Sequence, residues 1–186
     1  MKEENDSNLA FKLNDIENNK EYLECIADLL TNEVVKSMDK YIQHGTTTTL
    51  QHCLMVSYIS FKIAKKYDLD YKSTARAGLL HDLFLYDWHK VIEKKPLFKK
   101  HGFTHPQVAL KNACKYFNLN PIEKDIISKH MWPLTFRHIP KYKESIIVTT
   151  VDKYCSTRET FAPLIHRLRN KNYLPKKKYS NETIDI

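Results

Sequence analysis

Ala75-Arg76-Ala77-Gly78-Leu79-Leu80-His81-Asp82-Leu83-Phe84-Leu85-Tyr86 is apolar nearly all round, yet carries an imidazole and a carboxylate side by side. An apolar stretch of this length with no strand-like alternation reads as a helix buried on most sides. His81 and Asp82 then fall in its middle. A buried, unpaired carboxylate is costly, so Asp82 must find a partner or stay protonated. A cation shared with His81 would satisfy both. Gly78 lies one turn earlier, where side chains lean back along a helix. It leaves space for that cation, and it equally lets another helix approach closely; the two readings are compatible.

The same pattern recurs on both sides of this segment. His52, Met55, Val56, Ile59 and Ile63 form one helical stripe with an imidazole at its polar end. His105 is in line with Val108, Ala109 and Tyr116, and His130 with Glu123, Ile126 and Ile127. The run Ile146-Ile147-Val148-Thr149-Thr150-Val151-Asp152 ends in a carboxylate. A lone histidine on an apolar face is ordinarily a hydrogen-bonded core residue. Five helices that each aim an imidazole or carboxylate inward point instead to a shared cation. Neutral imidazoles with carboxylates suit Mn, Fe, Co, Ni or Zn. His44, His89, His101, His138 and His166 sit in loops, turns or beside a proline, and read as surface or rim positions.

The rest of the chain supports an all-α fold. It has 186 residues, enough for a single domain with a real core, and 42% of them are hydrophobic. Only three glycines occur, fewer than a sheet-rich fold would need for its turns. The expected helices cover about residues 20–41, 46–67 and 71–86, a fourth from about residue 104, and then 120–131, 143–156 and 159–170. The fourth is capped by Thr104 or His105, with Pro106 in its first turn. Asn120-Pro121-Ile122-Glu123 opens the fifth as a capping box, and Pro163 bends the last. Residues 1–19 read as a flexible acidic leader, 20–172 as the helical domain and 173–186 as a basic polar tail.

Composition also bounds the partners. The N-terminus is polar and acidic, unlike a signal peptide, and no apolar run is long enough to span a membrane. Cys25, Cys53, Cys114 and Cys155 form no CxxC motif and read as reduced thiols, so a cytoplasmic protein is expected. The net charge of +8 is spread over lysines without aromatic interleaving. That fits an anionic small molecule better than nucleic acid.

The ordered set His52 … His81-Asp82 … Asp152 resembles the signature of the HD superfamily of metal-dependent phosphohydrolases, and Ala77-Gly78-Leu79-Leu80-His81-Asp82 is similar to its central helix. His105 in Thr-His-Pro and His130 in Lys-His-Met-Trp-Pro match the additional histidines of its dinuclear subgroup. The resemblance covers about residues 45–156. It implies a compact single-domain bundle of about six to eight helices and one or two divalent transition-metal ions. His52, His81, Asp82 and Asp152 would hold the first ion; His105 and His130 would hold the second, with Asp82 bridging. His81 and Asp82 would form the catalytic centre. A metal-activated hydroxide would then hydrolyse a phosphomonoester or phosphodiester, a nucleotide being the expected substrate.

The chain departs from well-known subgroups in two places. Leu85 stands where many HD phosphodiesterases have a phosphate-binding lysine, and Met-Trp-Pro-Leu-Thr-Phe-Arg137 follows His130 in place of a Gly-Tyr-Pro motif. Both argue against a cyclic-dinucleotide substrate. Lys153 and Arg137 become the candidate phosphate readers, and Asp87, Trp88 and His89 candidate residues of the pocket mouth. Two other functions fit the same ligand set: a di-iron oxygenase of the HD fold, and a non-catalytic nucleotide-binding module.

Overall fold

The structure, a computed structural model, describes residues 15–89 and 100–171, with side chains described as far as residue 161. The expected tail lies outside the described residues, as does the expected leader except for residues 15–19.

Among the described residues the fold is all-α apart from one small ribbon. Helix α1 (Lys20–Leu30) starts where the Asn19 side chain accepts from Tyr22 N. The sequence predicts one helix over residues 20–41, but it breaks at Thr31-Asn32. Asn32 turns its side chain onto Val34 N and opens a separate short helix, α2 (Glu33–Lys36). Asparagine competes with the backbone in this way and so favours caps over helix interiors. A 3₁₀ turn (Ser37–Lys40) leads into an antiparallel ribbon of β1 (Ile42–His44) and β2 (Thr47–Thr48), folded over Gly45 at φ 58°. The ribbon turns Gln43 inward.

Thr48 and Gln51 form a capping box at the head of α3 (Thr49–Lys66). Asp70 caps α4 (Tyr71–Leu80) by accepting from Ser73 N. Helices α3 and α4 approach closely at Gly78 and Ser57. A methyl group on Gly78 would stand 2.8 Å from Ser57 Cα, so Gly78 serves close helix packing. Tyr22 Oη donates to Ser57 Oγ at 2.9 Å, and Ser57 Oγ donates to the Ala75 carbonyl at 2.6 Å. These bonds tie α1, α3 and α4 together.

The central segment also ends earlier than its apolar run predicts. Helix α4 stops at Leu80, and His81 and Asp82 lie in the turn that follows. Leu83 and Phe84 remain buried although non-helical. Asn112 Nδ2 donates to the Leu83 carbonyl at 2.7 Å, and Leu85 takes φ 59° to turn the chain away.

Helix α5 (His101–Tyr116) begins a turn before the expected cap, so Pro106 sits inside it. Helix α6 (Pro121–Lys129) has the expected Asn120/Glu123 capping box. Asp125 on α6 accepts from Lys141 N at 2.9 Å and Ser145 Oγ at 2.7 Å, fixing the approach to the last helix. That helix, α7 (Lys143–Lys171), is continuous, whereas the sequence predicts two separate helices over about 143–156 and 159–170. Helix α3 packs on α4 and α7, α4 also on α1 and α6, and α6 on α5 and α7. Among the described residues no helix is long and apolar enough to cross a membrane.

Candidate metal centre

This packing brings six polar side chains to one point inside the bundle. His52 arrives from the first turn of α3, His81 and Asp82 from the turn after α4, and His105 from α5. His130 comes from the end of α6 and Asp152 from α7. All six are buried. They fall into two groups that share the turn after α4: His52, His81 and Asp152 on one side, Asp82, His105 and His130 on the other.

Each imidazole presents Nε2 to the centre because its Nδ1 is occupied elsewhere. His81 Nδ1 donates to the Gly78 carbonyl at 2.8 Å, His105 Nδ1 to the His101 carbonyl at 2.9 Å and His130 Nδ1 to the Ile127 carbonyl at 2.9 Å. Carbonyl oxygens only accept, so these three Nδ1 atoms carry the protons. His52 Nδ1 meets Glu159 Oε2 at 2.9 Å.

The inward atoms are close together. Asp152 Oδ1 is 3.2 Å from His52 Nε2 and 3.7 Å from His81 Nε2. Asp82 Oδ2 is 3.4 Å from His81 Nε2, and Asp82 Oδ1 is 3.2 Å from His105 Nε2 and 3.4 Å from His130 Nε2. The His105 and His130 Nε2 atoms are 2.8 Å apart. With both Nδ1 protons committed, two neutral rings would face each other there as bare lone pairs, so a proton or a cation must lie beside them. His81 Nε2 and Asp82 Oδ1 are buried without a hydrogen-bond partner. Such orphaned donors and acceptors are costly unless an ion satisfies them, and this donor set fits a divalent transition metal.

The electrostatics of the two groups differ. Burial disfavours a charge on His52, but Asp152 and Glu159 outweigh it and hold its pKa up at about 10. Burial likewise opposes a charge on His81, and Asp82 overcomes it and raises the pKa well above the usual value. On His130 burial wins, and the pKa falls to about 4. Asp82 and Asp152 would be pushed up by burial. The facing imidazoles, His81 and His105 for Asp82 and His52 and His81 for Asp152, instead hold both carboxyl groups far below the usual range.

Lys153 stands at the edge of the cluster. Its Nζ donates to Asp152 Oδ2 at 2.7 Å and to the His130 carbonyl at 3.0 Å, while the side chain stays 41% exposed. Arg137 is not brought to the cluster; it is exposed, its guanidinium 5.5 Å from the centre of the Phe136 ring. Trp88 lies at the rim, stacked on His101 with ring centres 5.1 Å apart and edge-on to His44 at 6.4 Å. His101 itself stacks on His105, half-buried, and burial lowers its pKa to about 3. His89 and His138 are exposed, as expected, and the side chain of His166 lies outside those described.

Two contacts escape the sequence reading. Gln43 Nε2 donates to Asp82 Oδ2 at 2.6 Å, and its Oε1 accepts from Thr49 Oγ1 at 3.3 Å. Glu159 holds His52, as described above. Its position, seven residues after Asp152, would have flagged it had α7 been read as one helix. A surface cavity of about 490 Å³ lined by Glu24, Asp28, Lys72, Arg76, Asn120 and Glu123 includes none of the six residues. Its arginine is already paired with Asp28 and Glu123.

The family model of the HD domain matches residues 49–157, more than half of the chain. The match opens at the first residue of α3 and closes just past Asp152, so it spans all six clustered residues. No curated protein and no solved structure matches the chain significantly.

Proposed function

Because this chain belongs to the HD domain family, a superfamily of metal-dependent phosphohydrolases, we propose that it hydrolyses a phosphomonoester or phosphodiester of a small molecule, a nucleotide being the preferred class. The observation that carries the proposal is the common aim of the ligand atoms. Four Nε2 atoms and two carboxylates converge where His81 Nε2 and Asp82 Oδ1 are buried with no hydrogen-bond partner. His52, His81, Asp152 and one oxygen of Asp82 would hold one divalent ion. His105, His130 and the other oxygen of Asp82 would hold a second. Bound there, such ions lower the pKa of water towards neutrality and offset charge on phosphoryl oxygens.

The chain's own residues prepare the site for that chemistry. Backbone carbonyls fix three imidazoles as Nε2 donors, and Gln43 fixes the rotation of Asp82, so little reorganisation is left for the reaction. Lys153 holds Asp152 with one N–H and presents its exposed charge at the edge of the cluster, where an anionic substrate would arrive. The buried Phe84 packs edge-on against the His105 ring, with ring centres 5.9 Å apart.

The test is metal analysis of protein purified without added metal, then a panel of phosphomonoesters and phosphodiesters assayed with the metal found. Metal-dependent release of phosphate or of a nucleotide is expected. Iron-loaded protein that consumes O₂ and leaves every phosphate ester intact would overturn the proposal in favour of oxygenase chemistry. Protein that binds nucleotide but retains no metal would make it a binding module.

Metal loading should also stabilise the fold, since a ligand that binds only the native state adds free energy by mass action. At a free metal concentration of 100 times Kd the gain is about 2.7 kcal/mol. For a domain of this size that raises Tm by about 5–11 °C. Thermal melts with metal and with excess chelator check this; superimposable melts would show that the native state binds none.

A further inference from the structure

Glu159 is outside the set of six, yet its Oε2 accepts from Nδ1 of the fully buried His52 at 2.9 Å. It reaches there from α7, seven residues beyond Asp152. Asp152, Ser156 and Glu159 are spaced i, i+4 and i+7, so they share one helix face, turned towards α3. Ser156 Oγ donates to Asp152 Oδ1 at 3.1 Å. His52 is therefore held at both nitrogens by carboxylates of a single helix: Asp152 at Nε2 and Glu159 at Nδ1.

The other three imidazoles are held differently. His81, His105 and His130 anchor Nδ1 on the carbonyls of Gly78, His101 and Ile127, which are uncharged acceptors. A carboxylate behind an imidazole fixes its tautomer and makes the opposite nitrogen a stronger donor. The two halves of the cluster are thus unequal. The His52/His81/Asp152 half has Asp152 in front and Glu159 behind. The His105/His130 half has one oxygen of Asp82, and among the described residues no carboxylate stands behind either ring. Lys153 offsets part of the charge on Asp152 but forms no ion pair with Glu159.

We propose that Glu159 is a positioning residue that orients His52 and strengthens it as a donor, so that the His52/His81/Asp152 half takes up a divalent cation first and more tightly than the His105/His130/Asp82 half. This role rests on the metal-dependent reading of the cluster. It makes the second ion the exchangeable one, so that the doubly loaded form tracks the free metal concentration.

The test titrates full-length, chelator-stripped protein with Co²⁺, followed by its visible absorption and by competition with a chelator of known affinity. Wild type, Glu159→Ala, Glu159→Gln and His105→Ala are compared. Wild type should fill in two steps, and His105→Ala should lose only the weaker. Glu159→Ala should weaken the tighter step by about 10–100-fold and leave the weaker step nearly unchanged. Glu159→Gln, whose amide oxygen can still accept the Nδ1 proton but carries no charge, should recover part of the loss. A general disturbance of the fold would instead weaken both steps together, and that result overturns the role. So do Glu159→Ala constants equal to wild type while wild type binds normally. Wild-type protein that takes up no Co²⁺ overturns the reading of the cluster itself and this role with it.

Discussion

Replacing Asp82 with alanine is expected to abolish metal retention and to lower phosphate-ester turnover by on the order of 10³-fold or more. Asp82 presents one oxygen to each half of the cluster: Oδ1 faces His105 and His130, and Oδ2 faces His81 and accepts from Gln43. Removing it takes away the only negative charge that the His105/His130 half possesses among the described residues. It also leaves the Gln43 amide and two Nε2 atoms without an acceptor or an ion. Each stranded buried polar group costs about 1–3 kcal/mol, so the alanine variant should be less stable as well as inactive. Asp82→Asn separates these effects. Its amide oxygen can still accept from Gln43, so the fold should survive while the bridging charge is lost. Metal content after gel filtration and turnover on the best substrate of the panel are the measurements. Asp82→Asn that kept wild-type metal content and turnover would sink the proposed chemistry.

Gly78→Val should destabilise the protein by about 3 kcal/mol or more, the upper end of the cost of overpacking a core. The first atom of the new side chain would stand 2.8 Å from Ser57 Cα and 3.3 Å from Ser57 N. These are backbone atoms of α3, which cannot swing aside as a side chain could. The two helices would have to separate, stretching the Ser57–Ala75 and Tyr22–Ser57 hydrogen bonds. A fall in Tm of about 6–12 °C is the expected reading by circular dichroism. The separation would also pull His52 on α3 away from His81 at the end of α4, so metal affinity should fall with stability. A valine variant that melted with wild type would mean that the helices repack freely at this contact.

The six converging residues were legible because burial makes polar side chains conspicuous in an apolar helical pattern. His52, His105, His130 and Asp152 each interrupt an otherwise apolar face, and His81-Asp82 interrupts the most apolar stretch of all. The all-α class was legible for the same reason, from helical periodicity and the shortage of glycine. Local boundaries were not. The ribbon of residues 42–48 is too short to show strand alternation, so Gln43 and its bond to Asp82 stayed hidden. Helix α4 ends at Leu80 although its apolar run continues, because Leu83 and Phe84 are buried in a turn that Asn112 stabilises from α5. That partner is distant in sequence, and nothing local announces it. Pro106 lies a turn further inside its helix than expected, because that helix starts at His101. Breaking the last helix at residues 157–158 removed Glu159 from the face of Asp152 and with it the second contact of His52.

Three of the four imidazoles hang from main-chain oxygens of the element that carries them, which every sequence possesses whatever its side chains. Their orientation is therefore inherited with the helices rather than with particular neighbours. Residues around the opening, such as Trp88, His44 and Lys153, could be exchanged in the course of descent and the chemistry redirected to new molecules, while most of the cage kept its shape. His52 is the exception, because its orientation depends on a side chain that mutation can remove in one step.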